Sequence, residues 1–189
     1  MQASATRMQQ LIIDLLAFSR ANVVEKHYES TDLNIVLQNV KEQLSDMIQQ
    51  QQAMITSEVL PTRHVIVFQF EQLFTNLIAN AIKFVNPGIK PEINIRTGQI
   101  PGELLSLPGA DPSLQYQYIS FSDNGIGFDP QFKDRIFQVF QRLHSRSAYE
   151  GTGIGLAICK KIIDNHNGLI DAIGKPGTGA TFILYLPVE

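Results

Sequence analysis

Apolar positions along the chain follow two periods, and the switches between them mark its elements. Met8, Leu11, Ile12, Leu15, Leu16 and Ser19 recur at steps of three and four. This predicts an amphipathic helix over about residues 3–25, with Arg7, Gln9, Gln10 and Asp14 facing water. With Phe18 the apolar stripe is wider than a lone helix can bury, which favours a helical bundle with a second copy. The pattern is already running at the first residue, so the chain reads as a piece of a longer protein. Tyr28 to Thr31 reads as a short strand. Thr31 or Asp32 can cap a helix from Asp32 to about Gln51, with Leu33, Val36, Leu37, Val40, Leu44 and Ile48 inward. Met54 to Val59 and Val65 to Phe68 read as strands, with Pro61 and Arg63 in the turn between them.

A second helix is predicted over Glu71 to Val85, its core face built from Leu73, Phe74, Leu77, Ile78, Ala81 and Ile82. Glu92 to Thr97 and Tyr116 to Ser122 alternate as strands. The Gly- and Pro-rich stretch between them, Gly98 to Gln115, is long for a hairpin and is expected to be a mobile surface loop. Phe132, Ile136, Phe137 and Phe140 follow at helical spacing within a segment from about Phe128 to Glu150 whose polar middle has little to bury, and which is also expected to be mobile. A helix over Gly151–Asn167 and strands over Gly168 to Ile173 and Ala180 to Leu186 complete the chain.

Composition narrows the function mainly by exclusion. The net charge of −3 gives no footprint for nucleic acid or an anionic membrane. No apolar run is long enough to span a bilayer, and the first residues lack the layout of a signal peptide. The single cysteine, Cys159, cannot form an internal disulfide and fits a reducing compartment. On its helix it reads as a small core residue rather than a reactive thiol.

The candidate chemistry lies in two glycine clusters, Ser122 to Phe128 and Gly151 to Leu156, which bracket Lys133, Arg135, Arg142 and Arg146. Glycine leaves no Cβ in the way, so successive N–H groups can converge on an anion. The second cluster runs straight into an apolar-periodic helix, whose unpaired N–H groups and dipole favour phosphate. Asp123 opens the first cluster. An ionised carboxylate only accepts hydrogen bonds, so it suits an exocyclic amine such as N6 of adenine and repels phosphate. Asn76, Asn80 and Lys83 stack on one side of a helix at steps of four and three. On their own they fit either local backbone bonding or a metal-phosphate site, since amide oxygens are hard Mg²⁺ ligands; beside the glycine clusters the second reading leads.

The order of these motifs resembles two-component sensor histidine kinases. Asn76 to Phe84 resembles their N box, Asp123 to Gly127 the G1 box, and Phe137 to Phe140 the F box. Gly151 to Leu156 resembles the G2 box, and Gly177 to Phe182 the closing glycine turn. Leu11 to Arg20 is similar to the second helix of the dimerisation and phosphoacceptor hairpin. The resemblance covers the chain apart from Gly98 to Gln115. It implies an α/β fold: a two-layer sandwich of the GHKL ATPase type, a mixed sheet with helices on one face, preceded by one bundle helix. Residues 1–27 would then belong to the truncated hairpin, and 28–189 to the catalytic ATP-binding domain.

By the same resemblance Asn80 would coordinate Mg²⁺, with Asn76 assisting, and Lys83 would contact phosphate. Asp123 would bind the adenine amine, with Gly125 and Gly127 letting the chain pass the base. Gly151, Thr152, Gly153, Ile154, Gly155 and Leu156 would line the triphosphate. Arg142 stands where many members carry a lid arginine that reaches the γ-phosphate, and Thr181 would approach the adenine through water. His27, His64, His144 and His166 all fall outside the phosphoacceptor pattern, with only His144 left open as a ligand contact. The chain is therefore expected to transfer the ATP γ-phosphoryl to a histidine on a separate helix, for relay to a response regulator. It would do so in the cytoplasm, as part of a homodimer in the full-length protein. Two alternatives are a nucleotide-sensing interaction module and an ATP-hydrolysing clamp. The clamps carry a glutamate where Asn76 stands, and asparagine cannot take a proton from water.

Overall fold

The computed structural model describes residues 27–141 and 152–188. The helix expected over 3–25, and with it Arg142, His144 and Gly151, lies outside the described residues. Seven strands are formed: β1 Glu29–Asp32, β2 Met54–Ser57, β3 Thr62–Val65, β4 Glu92–Pro101, β5 Gln115–Asp123, β6 Leu169–Lys175 and β7 Gly179–Pro187. The helices are α1 Leu33–Gln43, α2 Ser45–Gln51, α3 Val67–Lys83 and α4 Gly155–Asn165.

Five strands make a mixed sheet in the order β2-β4-β5-β7-β6, in which β2 and β4 are parallel and the other neighbours antiparallel. The remaining two, β1 and β3, form a separate antiparallel ribbon. Strand alternation gives the sheet two unlike faces. Ile93, Ile95, Ile119, Phe121, Phe182 and Leu184 turn inward and are buried with the apolar stripes of α3 and α4. Asn94, Ser122, Thr181 and Ile173 form a cross-strand row of the opposite parity, on the face without helices. Phe74 of α3 marks the centre of the inner layer, fully buried with its ring 5.1 Å from that of Phe121 in an edge-on contact.

Several elements differ from their sequence expectation for identifiable reasons. The helix read as Asp32 to Gln51 is capped by Asp32, whose side chain accepts from the Asn34 amide, but it breaks at Leu44 (φ −96°, ψ 9°). The buried positions Leu33, Val36, Leu37 and Val40 end there, and α2 buries no residue. The run Val65 to Phe68 is not one strand. Its ladder ends at Val65, and the Ile66 carbonyl accepts from Gln69 and Phe70, so α3 starts at Val67 instead of Glu71. Nor do β2 and β3 pair with each other. Arg63 lies inside β3, with its guanidinium donating to the Pro187 carbonyl.

The stretch Gly98 to Gln115 is a closed loop. Here β4 continues to Pro101, a 3₁₀ turn follows at Gly102–Leu104, and the Gly102 amide donates to Leu114 O at 2.7 Å. Asp111 organises the return: its carboxylate accepts from the Ser113 amide and hydroxyl, and its amide donates to the hydroxyl of buried Tyr116. The turn-forming residues that suggested looseness instead close the loop.

Replacing Phe74 with Ala opens a cavity under α3 and is expected to cost about 3–5 kcal/mol. Urea unfolding would show it as a lower midpoint at unchanged slope.

Candidate functional site

The site is built around the end of β5. Asp123 pairs with Ile93 and shares its parity with Ile119 and Phe121, so its side chain belongs to the helix side of the sheet. Its Oδ1 accepts from the Gly125 amide at 2.8 Å and the Ala180 amide at 3.1 Å. Among the described residues none donates to Oδ2. Burial pushes the Asp123 carboxyl above its usual value, while the two amides pull the other way. The result is a fixed carboxylate with one oxygen left for a donor that the protein does not provide.

The glycines that follow are required by protein backbone. A Cβ on Gly125 would sit 2.3 Å from Phe84 O, and one on Gly127 (φ +63°) would sit 2.1 Å from Lys175 O. The loop threads between the end of α3 and the β6–β7 turn, held by Ile126 N–H to Phe84 O at 2.8 Å and Gly177 N–H to Ile126 O at 2.7 Å. Asn124, which sequence reasoning passed over, fastens the same loop to the start of β4. Its Oδ1 accepts from the Glu92 amide and its Nδ2 donates to Lys90 O. The only hint in the sequence is a turn-forming residue between Asp123 and Gly125.

Asn76, Asn80 and Lys83 lie along α3 beside its buried face. Asn76 and Asn80 are half-buried, and Lys83 Nζ stands 4.7 Å from the centre of the Phe84 ring. Asn76 points at the start of α4: its Oδ1 would be 3.4 Å from a Cβ on Gly155, and its Nδ2 is buried without a hydrogen-bond partner among the described residues. A buried unpaired amide is costly and calls for an acceptor. The neighbouring Cys159 thiol does not answer it. Burial pushes that thiol far up against an opposing pull from Asn76, so it stays a neutral, weak acceptor, and its Sγ lies 4.0 Å from Leu73 O. Gly153 (φ +76°) turns the chain into α4, and Ile154, the residue before the helix, is fully buried and offers no side-chain cap. Leu156 is half-buried against the core.

The fold thus brings Asn76 to Gly155, and Asp123 to Gly125 and Ala180, with α3 reaching both groups. It does not bring Thr181 to them. Thr181 lies on the helix-free face, with its hydroxyl 2.9 Å from that of Ser122, because alternation along β7 turns Ala180 and Phe182 inward instead. A cavity of about 310 Å³, lined by Met54, Thr56, Glu92, Asn94, Ser122, Asn124 and Thr178, also reaches Asp123 but touches no residue of α3 or α4. The described residues hold no cluster of His, Cys, Asp or Glu suited to a metal ion, and no helix among them is long and apolar enough to cross a membrane. His27 and His64 are exposed, whereas His166 is buried with both ring nitrogens bonded.

A raised carboxyl pKa means that ionised Asp123 costs stability, a cost absent below its unfolded value and complete above its folded one. Asp123→Asn should therefore melt higher without ligand at pH 7, by on the order of 2 °C. The difference should shrink as pH falls and Asp123 takes up its proton; calorimetric melting between pH 3 and 7 checks this. Gly125→Ala should melt lower at every pH, because Phe84 O is fixed backbone.

Comparisons with known proteins agree with this fold. The family described as histidine kinase-, DNA gyrase B-, and HSP90-like ATPase matches residues 67–189. Cyanobacterial phytochrome A of Nostoc sp. strain PCC 7120 is 44% identical over 181 residues, covering 96% of this chain and 22% of its own length. The chain spans about a fifth of the curated relatives it matches first. Full-length ShkA in complex with AMPPNP superposes with a TM-score of 0.73 at 24% identity, covering 98% of this chain and 36% of that one. The catalytic domain of histidine kinase ThkA gives a TM-score of 0.64 at 22% identity, covering 85% of this chain and 95% of that one. At these identities the two structures speak for the fold.

Proposed function

This chain belongs to the histidine kinase-, DNA gyrase B-, and HSP90-like ATPase family as an ATP-binding catalytic domain, and we propose that it serves a sensor histidine kinase. In that role it transfers the ATP γ-phosphoryl to a histidine on a separate helix, for relay to an aspartate of a response regulator. The observation that carries the reading is the meeting of α3 and α4. A helix start without a side-chain cap stands beside the buried Asn76 amide, which has no partner among the described residues, and phosphate oxygens would supply acceptors to both.

Each described group has a part in this reading. Asp123 Oδ2 accepts the adenine amine, while Gly125 and Gly127 hold the loop that fixes the carboxylate. Backbone amides from Thr152 to Leu156 receive the phosphates, and Lys83 neutralises their charge. Gly151 and the lid residue Arg142 extend the same set by resemblance. Mg²⁺ fits in kind, because Asn80 and Asn76 offer hard amide oxygens and Asn76 Nδ2 can donate to an oxygen of the bound group. The ion would neutralise charge on the phosphates. Phosphoryl transfer asks the protein mainly for position and charge. The bond between the γ-phosphorus and the bridging oxygen breaks, a P–N bond to the acceptor imidazole forms, and ADP leaves. The imidazole proton is lost to a base outside this domain, since Asn76 cannot accept it. We place residues 1–27 in the dimerisation hairpin, with 28–189 as the catalytic unit of a homodimeric kinase that works in the cytoplasm, either as a cytoplasmic protein or as the cytoplasmic portion of a membrane-anchored sensor.

Titration calorimetry with ATP and Mg²⁺ tests the site. Asp123→Asn should weaken binding about ten- to a hundredfold, the usual worth of a hydrogen bond to a charged group. Asn80→Ala should remove most of the Mg²⁺ dependence and leave adenosine binding alone. Labelled phosphate should then pass to an added acceptor-helix fragment. Binding without transfer would favour a nucleotide-sensing interaction module.

A further inference from the structure

Helices α3 and α4 run antiparallel. Asn76, midway along α3, faces Gly155 at the start of α4; next, Leu73 O lies 4.0 Å from the Cys159 sulfur; at the far end of the contact Gln69 meets Asn165, whose Nδ2 donates to Gln69 Oε1 at 3.4 Å. That last end is closed by His166. Its Nε2 accepts from the Ile66 amide at 3.0 Å, just ahead of α3, and its Nδ1 donates to Ile162 O within α4 at 2.7 Å. A backbone N–H can only donate, so Nε2 carries the lone pair and Nδ1 the proton. One neutral tautomer is thereby fixed in a site 7% exposed.

A third segment enters the same junction. The Tyr28 hydroxyl donates to Asn165 O at 2.6 Å, and its ring meets the His166 imidazole edge-on at 5.2 Å, with Phe70 at 4.9 Å. Tyr28 directly precedes β1, at the point where the N-terminal segment joins the domain. A buried histidine with both nitrogens bonded is ordinarily only a core residue. Here, however, it ties the entering chain to the first turn of one helix and the last turn of the other. Farther along the same contact lie Asn76, midway along α3, and Gly155, at the start of α4.

We propose that His166 and Tyr28 are positioning residues for the nucleotide phosphates: together they set the spacing of α3 and α4, and with it the placing of Asn76 against Gly155. The contact between the helices is close-packed, so a shift at the junction moves the far end rather than being absorbed between. The Asp123 carboxylate takes its two amides from Gly125 and Ala180 rather than from α3 or α4. The inference rests on the nucleotide reading above, and it assigns to the junction control over the phosphate half of that site alone.

The test compares the full chain with Tyr28→Phe, which removes one hydroxyl, and His166→Gln, at a temperature where the circular dichroism spectra coincide. ATP·Mg²⁺ affinity is expected to fall about fivefold or more in both, the usual size of a coupling between sites, with adenosine affinity unchanged. Coupling is reciprocal, so ATP should also slow hydrogen exchange at the Ile66 amide in the wild type, and less in Tyr28→Phe. Should His166→Gln fail to fold, Tyr28→Phe decides alone. Unchanged ATP affinity, even with a lowered melting temperature, would reduce the junction to a structural role and overturn the proposal. A parallel loss of ATP and adenosine binding would mean general loosening and overturn it equally. If the wild type binds no ATP, the nucleotide reading falls first and this inference with it.

Discussion

Burial of Phe70, Leu73, Phe74, Leu77 and Ile78 fixes how α3 is rotated about its own axis. That rotation decides where the polar residues of the same helix can point. With the apolar stripe on the sheet, Asn76 is left toward α4, and the Phe84 carbonyl at the helix end is left to accept from Ile126. The glycine loop after β5 must then pass close beside Phe84, which is why Gly125 tolerates no Cβ. The core and the site are therefore one construction. A helix turned by one residue would bury an asparagine and lose the seat of the loop.

The same region departs from the rules that stabilise the rest of the chain. Asp123 is an acid held above its ordinary pKa by burial, Asn76 carries an unpaired buried N–H, and α4 begins without a side-chain cap. Elsewhere Asp32 caps α1 and Asn34 exchanges two hydrogen bonds of 2.8 Å with Leu60, although α2 and α3 also start without a side-chain cap. A carboxylate oxygen without a donor and a buried amide without an acceptor, both counted among the described residues, describe the complement of a nucleotide better than either residue does alone. Sites that hold ligands commonly give up stability in this way.

Where local chemistry dictates structure, the sequence was readable. The core face of α3, the delivery of Asp123 by β5 and the glycine turn into α4 all follow from periodicity or glycine placement. What escaped reading depends on contacts between distant residues. The start of α3 at Val67 reflects an Ile66 amide held by His166, one hundred positions away. Thr181 illustrates a different difficulty, because a strand shows alternate residues to opposite faces and an offset of one exchanges them. Motif resemblance put the hydroxyl near adenine, whereas the register of β7 turns Ala180 to Asp123 and Thr181 to Ser122. Asn124 and the Asp111 turn could be named as turn formers, but not what they would fasten.

Strand order explains why the two ends of the domain take different work. The centre of the sheet is a run of antiparallel neighbours, β4-β5-β7-β6, so its turns and loops alternate between the ends. Asp123, Gly127 and the β6–β7 turn gather at one end. The ribbon of β1 and β3 is held near the other by Arg63 on Pro187, at the last residue of β7. Between them α3 and α4 run the depth of the domain as a packed pair. A distant residue can therefore act on the ligand end without touching it, provided that it holds a group both helices share. The His166 imidazole is such a group: one nitrogen serves α4 and the other serves the residue that starts α3.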